Sequence, residues 1–136
     1  MPLEPVTPRR LRQGFLFLLL PALLLAGCDS VDRSGPGERI MAIVSPHGPE
    51  GAAVLRLIGG HVEEVEAARG HAFVDRSGGD LVVVLVNAVA GELALRLLLD
   101  DVSRLPAAEL IQVAGPDNRL RDELSAYGVT FRRPER

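Results

Sequence analysis

Short apolar segments separated by turn-forming residues fill the chain after residue 38. Segments of this length, bounded by glycine, proline, asparagine or aspartate, are typical of β-strands. The predicted strands are residues 40–44, 53–58, 61–67, 71–75, 81–86, 92–100, 109–113 and 129–132. Seven or eight short strands at about ten-residue spacing predict one all-β domain, a single antiparallel β-sandwich, over residues 39–136.

Two of these segments differ from the others in their apolar pattern. Residues 81–86 (LVVVLV) form an unbroken apolar run, which predicts a strand covered on both faces. Residues 92–100 (ELALRLLLD) alternate, so that a strand there would place four leucines on one face. A helix is the alternative, because leucine and alanine favour helices. The shortness of the segment and the preceding Gly91 favour the strand.

The residues between the predicted strands favour turns. Gly59 and Gly60 separate two predicted strands, and such a pair predicts a two-residue hairpin. Residues 45–51 and 115–118 contain proline and glycine and predict loops. Residues 119–126 predict a short helical turn before the last strand.

A different pattern covers the first 28 residues. Arg9, Arg10 and Arg12 precede a run of twelve apolar residues, 15–26. A membrane-spanning helix needs about 20 apolar residues, whereas the apolar region of a secretion signal has about 7–15. The pattern therefore predicts a signal peptide over residues 1–27.

The residues Leu25-Ala26-Gly27-Cys28 resemble the lipobox of bacterial lipoproteins, in which small residues precede an obligatory cysteine. The resemblance implies cleavage between Gly27 and Cys28 and attachment of a lipid to the Cys28 thiol. It also implies acylation of the new amino group by a fatty acid such as palmitate. Two or more acyl chains anchor a protein stably in a membrane. The alternative is a free or buried Cys28 thiol behind an ordinary secretion signal.

A polar linker follows the cysteine. Residues 29–38 (DSVDRSGPGE) lack the apolar side chains that a core needs. Residues 28–38 are therefore predicted to be the lipidated cysteine and a flexible tether. The protein would then belong to the cell envelope, lipid-anchored to a bacterial membrane and exposed to the periplasm or the exterior.

The composition narrows the classes of function. After residue 27 the chain has 12 basic and 17 acidic residues, a net charge of −5, which disfavours nucleic-acid binding. Only Phe73, Tyr127 and Phe131 are aromatic there, too few for a platform that stacks bases or sugars. Cys28 is the only cysteine, so no intramolecular disulfide forms and lipidation would leave no reactive thiol.

The candidate chemical groups lack the spacing of a catalytic or metal site. The candidates are the histidines His47, His61 and His71, the serines Ser45, Ser77, Ser103 and Ser125, and the oxygen ligands Asp100, Asp101, Asp117 and Asn118. The serines lack a nucleophile-elbow motif, the histidines lack zinc-ligand spacing and the acids form no calcium loop. His61 and His71 begin neighbouring predicted strands and would approach each other across a hairpin. The sequence thus predicts no catalytic residue, no metal and no cofactor.

Several short segments resemble small secreted bacterial proteins with a cohesin-like β-sandwich. The segments are Ile43-Val44-Ser45-Pro46, Glu50-Gly51-Ala52-Ala53, Ala90-Gly91-Glu92-Leu93 and Tyr127-Gly128-Val129-Thr130-Phe131. The resemblance covers residues 39–133 and implies a module that binds a protein partner rather than one that catalyses a reaction. It assigns no binding residue.

These observations lead to one functional expectation and two alternatives. The expectation is a lipid-anchored, non-enzymatic β-sandwich that binds a protein partner at the cell envelope. One alternative is a small envelope hydrolase or other enzyme with an unrecognised site. The other is a purely structural component of the envelope.

Overall fold

The computed structural model describes residues 34–135, and these form eight β-strands and no helix. The strands are β1 (Gly37–Val44), β2 (Glu50–Ile58), β3 (Val62–Ala67), β4 (His71–Asp75), β5 (Leu81–Gly91), β6 (Leu93–Leu99), β7 (Ala107–Ala114) and β8 (Gly128–Arg132). The predicted signal peptide, residues 1–27, and the predicted lipid site Cys28 lie outside the described residues. In the described part of the chain, no helix is long and apolar enough to cross a membrane.

The strands form two four-stranded sheets that pack face to face. The first sheet has the order β3-β6-β1-β8 and the second has the order β4-β5-β2-β7. Every paired strand is antiparallel to its neighbour. The predicted antiparallel β-sandwich is confirmed.

Alternate residues of the central strands fill the space between the sheets. In β6 the four leucines 93, 95, 97 and 99 are at most 1% exposed, and Met41 of the neighbouring β1 is fully buried. Leu55 of β2 and Leu85 of β5 are equally buried in the second sheet. Successive side chains of a strand point to opposite faces, so the alternating leucines make one continuous apolar face. The predicted strand at 92–100 is confirmed, and the helical alternative is wrong.

The run at residues 81–86 is covered on one face only, which corrects the prediction of a strand buried on both faces. Leu81, Val83 and Leu85 point into the core, whereas Val84 and Val86 are each 36% exposed on the outer face of the second sheet. No further layer of the described chain covers that face, because the sandwich has only two sheets. An apolar run therefore does not by itself mark a strand with two covered faces.

Gly59 and Gly60 do not form the predicted hairpin, because β2 and β3 belong to different sheets. These two glycines and His61 have φ angles of 70°, 69° and 43°, and the chain crosses there from the second sheet to the first. A Cβ atom on Gly60 would lie 2.5 Å from the backbone nitrogen of Pro106. The chain crosses back to the second sheet between β3 and β4, so His61 and His71 are not partners across a hairpin.

The chain segment before β8 is not the predicted helical turn of residues 119–126. Leu120 forms an isolated antiparallel bridge with Ala114, and the Tyr127 N–H donates to the Leu124 carbonyl at 3.0 Å. The segment is irregular, and its Arg121 side chain bonds to Glu50 of β2, as described below.

The folded domain begins slightly earlier than the sequence predicts. Gly37 and Glu38, assigned to the tether, pair with Leu99 and Leu98 as the first residues of β1. Asp101 holds the chain just before this strand, since its Oδ1 accepts a hydrogen bond from the Gly35 N–H at 3.1 Å.

Candidate functional site

A buried carboxylate lies where β2 begins. Glu50 is 1% exposed, and its two oxygens accept four hydrogen bonds. Oε1 accepts from the Tyr127 hydroxyl at 2.5 Å and from the Ser45 hydroxyl at 2.7 Å. Oε2 accepts from Nε and Nη2 of Arg121 at 3.2 Å and 3.0 Å. We call Glu50, Ser45, Arg121 and Tyr127 the Glu50 cluster.

The donors of the Glu50 cluster keep the carboxylate ionised. Burial raises the pKa of Glu50, but the hydrogen bonds from Tyr127, Arg121 and Ser45 together lower it below its ordinary value. Burial and the bond to Glu50 raise the pKa of the Tyr127 hydroxyl. The cluster therefore holds one negative charge, balanced by the Arg121 guanidinium.

The Glu50 cluster fixes the loop of residues 45–49. The Ser45 hydroxyl, while donating to Glu50, accepts a hydrogen bond from the His47 N–H at 3.0 Å. The His47 ring packs against the Tyr127 ring, with centroids 5.9 Å apart and planes inclined at 55°. The segments before β2 and before β8 are thus joined through one carboxylate.

A groove with a volume of about 450 Å³ lies beside this loop. Its lining comes from β1, the 45–49 loop, the start of β2, the end of β5, the start of β6 and β8: Ala42, Ile43, Val44, Ser45, Gly48, Pro49, Glu50, Gly91, Glu92, Leu93, Thr130 and Arg132. Val44 is 50% exposed, so the groove presents an apolar side chain at its surface. We call this feature the β1 groove.

An ion pair adds charge to the β1 groove. The Arg132 guanidinium donates to both oxygens of Glu92, at 2.7 Å and 3.3 Å, and each side chain is about half exposed. The hydrogen bond from Arg132 lowers the pKa of Glu92. The groove can therefore offer the Glu92 carboxylate as a hydrogen-bond acceptor and the Arg132 guanidinium as a donor, beside the apolar side chain of Val44.

The Glu50 cluster and the adjacent His47 bring a serine, a histidine and an acid together, but not in the order that activates a nucleophile. In that arrangement the histidine lies between the serine and the acid. Here the Ser45 hydroxyl bonds directly to Glu50, and the His47 ring stacks on Tyr127. The geometry supports a role for Ser45 in holding the loop.

The structure does not bring the histidines and acids singled out in the sequence together. Among residues 34–135, no three histidine, cysteine or acid side chains lie close enough to hold a metal ion. Asp100 and Asp101 lie between β6 and β7, whereas Asp117 and Asn118 lie between β7 and β8.

Asp101 and Asp117 stabilise their own loops. Oδ1 of Asp101 accepts from the Ser103 hydroxyl at 2.6 Å and the Ser103 N–H at 2.9 Å, and with the bond from Gly35 this lowers its pKa to about 2. Asp117 accepts from the Arg119 N–H at 3.2 Å.

The other serines also lie in turns. The Ser77 N–H donates to Asp75 at 2.9 Å, and the Ser125 hydroxyl donates to Glu123 at 2.6 Å. Short polar side chains commonly serve turns in this way. Glu50, Arg121 and Tyr127 were not predicted as site residues, and Glu50 was placed in the predicted loop of residues 45–51, although β2 begins there.

Comparisons of the chain with protein-family models, curated proteins and solved structures give no match.

Proposed function

We propose that this chain is a lipid-anchored, non-enzymatic binding module of the bacterial cell envelope, and that its β1 groove holds a segment of a protein partner. The observation that carries the proposal is the combination of an exposed apolar residue, Val44, with the Glu92–Arg132 ion pair in one groove. Binding sites typically combine apolar walls with a few placed polar groups.

The Glu50 cluster supports the proposal because it fixes one wall of the groove before a partner arrives. A wall that is already ordered loses less conformational freedom on binding, which favours affinity. A loop held by a buried carboxylate depends on all four donors, because loss of any one leaves the negative charge of Glu50 poorly compensated. Such an arrangement is better explained if the position of the 45–49 loop is important for binding.

The size of the groove favours a short segment over a whole folded surface. A volume of about 450 Å³ accommodates a few side chains. We propose an extended segment that places an apolar side chain on Val44 and polar groups beside Glu92 and Arg132. These two side chains remain about half exposed and are free to exchange water for partner groups.

Photo-cross-linking in cells tests the groove. A benzophenone amino acid in place of Val44 is expected to capture one envelope protein, and the captured segment can be mapped by mass spectrometry. The control is the same replacement at Ile58, which is 42% exposed but lies at the opposite end of β2 from Glu50. Equal capture at both positions would count against the groove.

The mapped segment, made as a peptide, then provides a binding measurement. Val44→Glu should weaken its binding at least about tenfold, because it replaces the apolar contact with a charge. Ile58→Glu should leave the affinity unchanged. Unaltered affinity in the Val44→Glu variant would refute the groove as the binding site.

The proposed anchor is tested separately. Cys28→Ala should abolish fatty-acid incorporation, because only a thiol accepts the diacylglyceryl group in the pathway that the lipobox implies. Metabolic labelling with a tagged fatty acid and detergent-phase partitioning measure the loss. Cys28→Ser, in which oxygen replaces the sulfur, is the second variant. If the Cys28→Ala protein still incorporates the fatty acid, the lipoprotein assignment is wrong.

A further inference from the structure

The outer edge of the second sheet is formed by β4, whose central residues are uncharged. The strand sequence is HAFVD, and only β5 pairs with it in the described chain. Phe73 at its centre is 63% exposed, and Val74 is 37% exposed. An unpaired edge with apolar side chains is a template on which another strand can pair.

The edges β3 and β7 carry features that oppose such pairing. The β3 edge has three glutamates and a register shift, and the Arg76 guanidinium donates to the carbonyls of Val62 and Glu63 at 3.0 Å and 2.9 Å. The β7 edge has a register shift against β2 and the charged pair Glu109–Arg56. Charges and bulges are common protections of sheet edges.

The β4 edge is complementary to itself. If two copies pair antiparallel with Phe73 opposite Phe73, then His71 of each copy lies opposite Asp75 of the other. All three residues share the outer face of the sheet, because side chains at alternate positions point the same way. An imidazole donates a hydrogen bond to a carboxylate, so both outer pairs of this register are favourable.

We propose that two copies of this chain associate through β4 in this register and form one continuous eight-stranded sheet. The backbone groups of the edge then gain partners, and the two Phe73 rings meet across the two-fold axis. The register also extends an existing apolar row, since Phe73 is paired with Val84, and Val84 with Val54, on the same face. This proposal does not depend on the β1 groove, which is lined by residues of other strands and loops.

Charge exchange between His71 and Asp75 tests both the edge and the register. The full-length chain in detergent is expected to sediment as a dimer that dissociates on dilution. His71→Asp places like charges opposite each other twice per dimer and should weaken association about tenfold. Asp75→His should also weaken it, and the double exchange should restore the dissociation constant to within about threefold of the original.

Each outcome decides the proposal. A chain that sediments as a monomer at every concentration overturns it, even if a peptide from another protein binds β4. A dimer that His71→Asp does not weaken also overturns it. A double exchange that stays folded by circular dichroism but does not recover association shows that the register is wrong.

Cysteine cross-linking gives a second measurement that keeps the charges intact. In the proposed register Phe73→Cys places two thiols directly opposite each other, within the Cα separation that a disulfide allows. Oxidation should therefore give a covalent dimer beyond the level of the parent chain, which contains Cys28. Gln112→Cys on the β7 edge is the matched control and should give no increase.

Discussion

Leu85→Asp is expected to unfold the domain, whereas Val86→Asp, at the next residue, should leave it folded. Leu85 is fully buried between the sheets, and a carboxylate there would have no partner. The expected loss is about 4 kcal/mol or more, a large part of the stability of a small domain. Val86 is 36% exposed on the outer face, so its replacement should change the free energy of unfolding by less than about 1 kcal/mol.

Urea unfolding followed by far-ultraviolet circular dichroism measures both variants. The pair is well matched, because the two residues are adjacent in one strand and receive the same new side chain. Equal and severe destabilisation would mean that the outer face of the second sheet is covered in the protein. That result would support the original prediction that the apolar run of residues 81–86 is buried on both faces.

The strands themselves were predictable because the pattern that marks them is local. The alternating leucines of β6 require only that side chains alternate along a strand and that one face is buried. The same pattern could not show that the apolar run in β5 has one exposed face. Whether Val84 and Val86 are covered depends on the number of layers, which a strand of six apolar residues does not encode.

The order of strands in the sheets was not predictable from the turns. A Gly-Gly pair favours a hairpin because both residues reach positive φ at little cost. The same freedom lets Gly59 and Gly60 carry the chain from one sheet to the other. The deciding contact is with Pro106, which is distant in sequence and approaches Gly60 too closely for a Cβ atom.

The Glu50 cluster escaped sequence analysis for the same reason. Glu50 bonds to Arg121 and Tyr127, which lie 71 and 77 residues further along the chain. No spacing rule connects such residues, and a glutamate in a predicted loop is ordinarily exposed. The histidines and acids were candidates by residue type alone, and in the described chain no three of them lie close enough to hold a metal ion.

Glu50→Gln is expected to lower the free energy of unfolding at neutral pH by about 3 kcal/mol. The amide is neutral and carries two donors, so it cannot accept all four hydrogen bonds that reach the carboxylate. Arg121 would lose its counter-charge while only 27% of its side chain is exposed. The matched control is Glu92→Gln, which removes a half-exposed ion pair and should cost less than about 1 kcal/mol.

The effect of Glu50→Gln should depend on pH in one direction. The pKa of Glu50 is lowered by folding, so the carboxylate contributes its full stability above its ordinary pKa of 4.5. That contribution is lost as the pH falls through the lower pKa of the folded protein. The difference in stability between the parent and the variant should therefore be largest near pH 7 and shrink below about pH 4.

Urea unfolding at a series of pH values tests this dependence. Asp75, Glu92 and Asp101 also have lowered pKa values, but they are present in both proteins and cancel in the difference. The subtraction therefore isolates Glu50 and the donors around it. A difference that stays constant down to pH 3 would mean that the shape of the side chain, rather than its charge, holds the 45–49 loop. In that case the ionised carboxylate would not be what fixes the wall of the β1 groove.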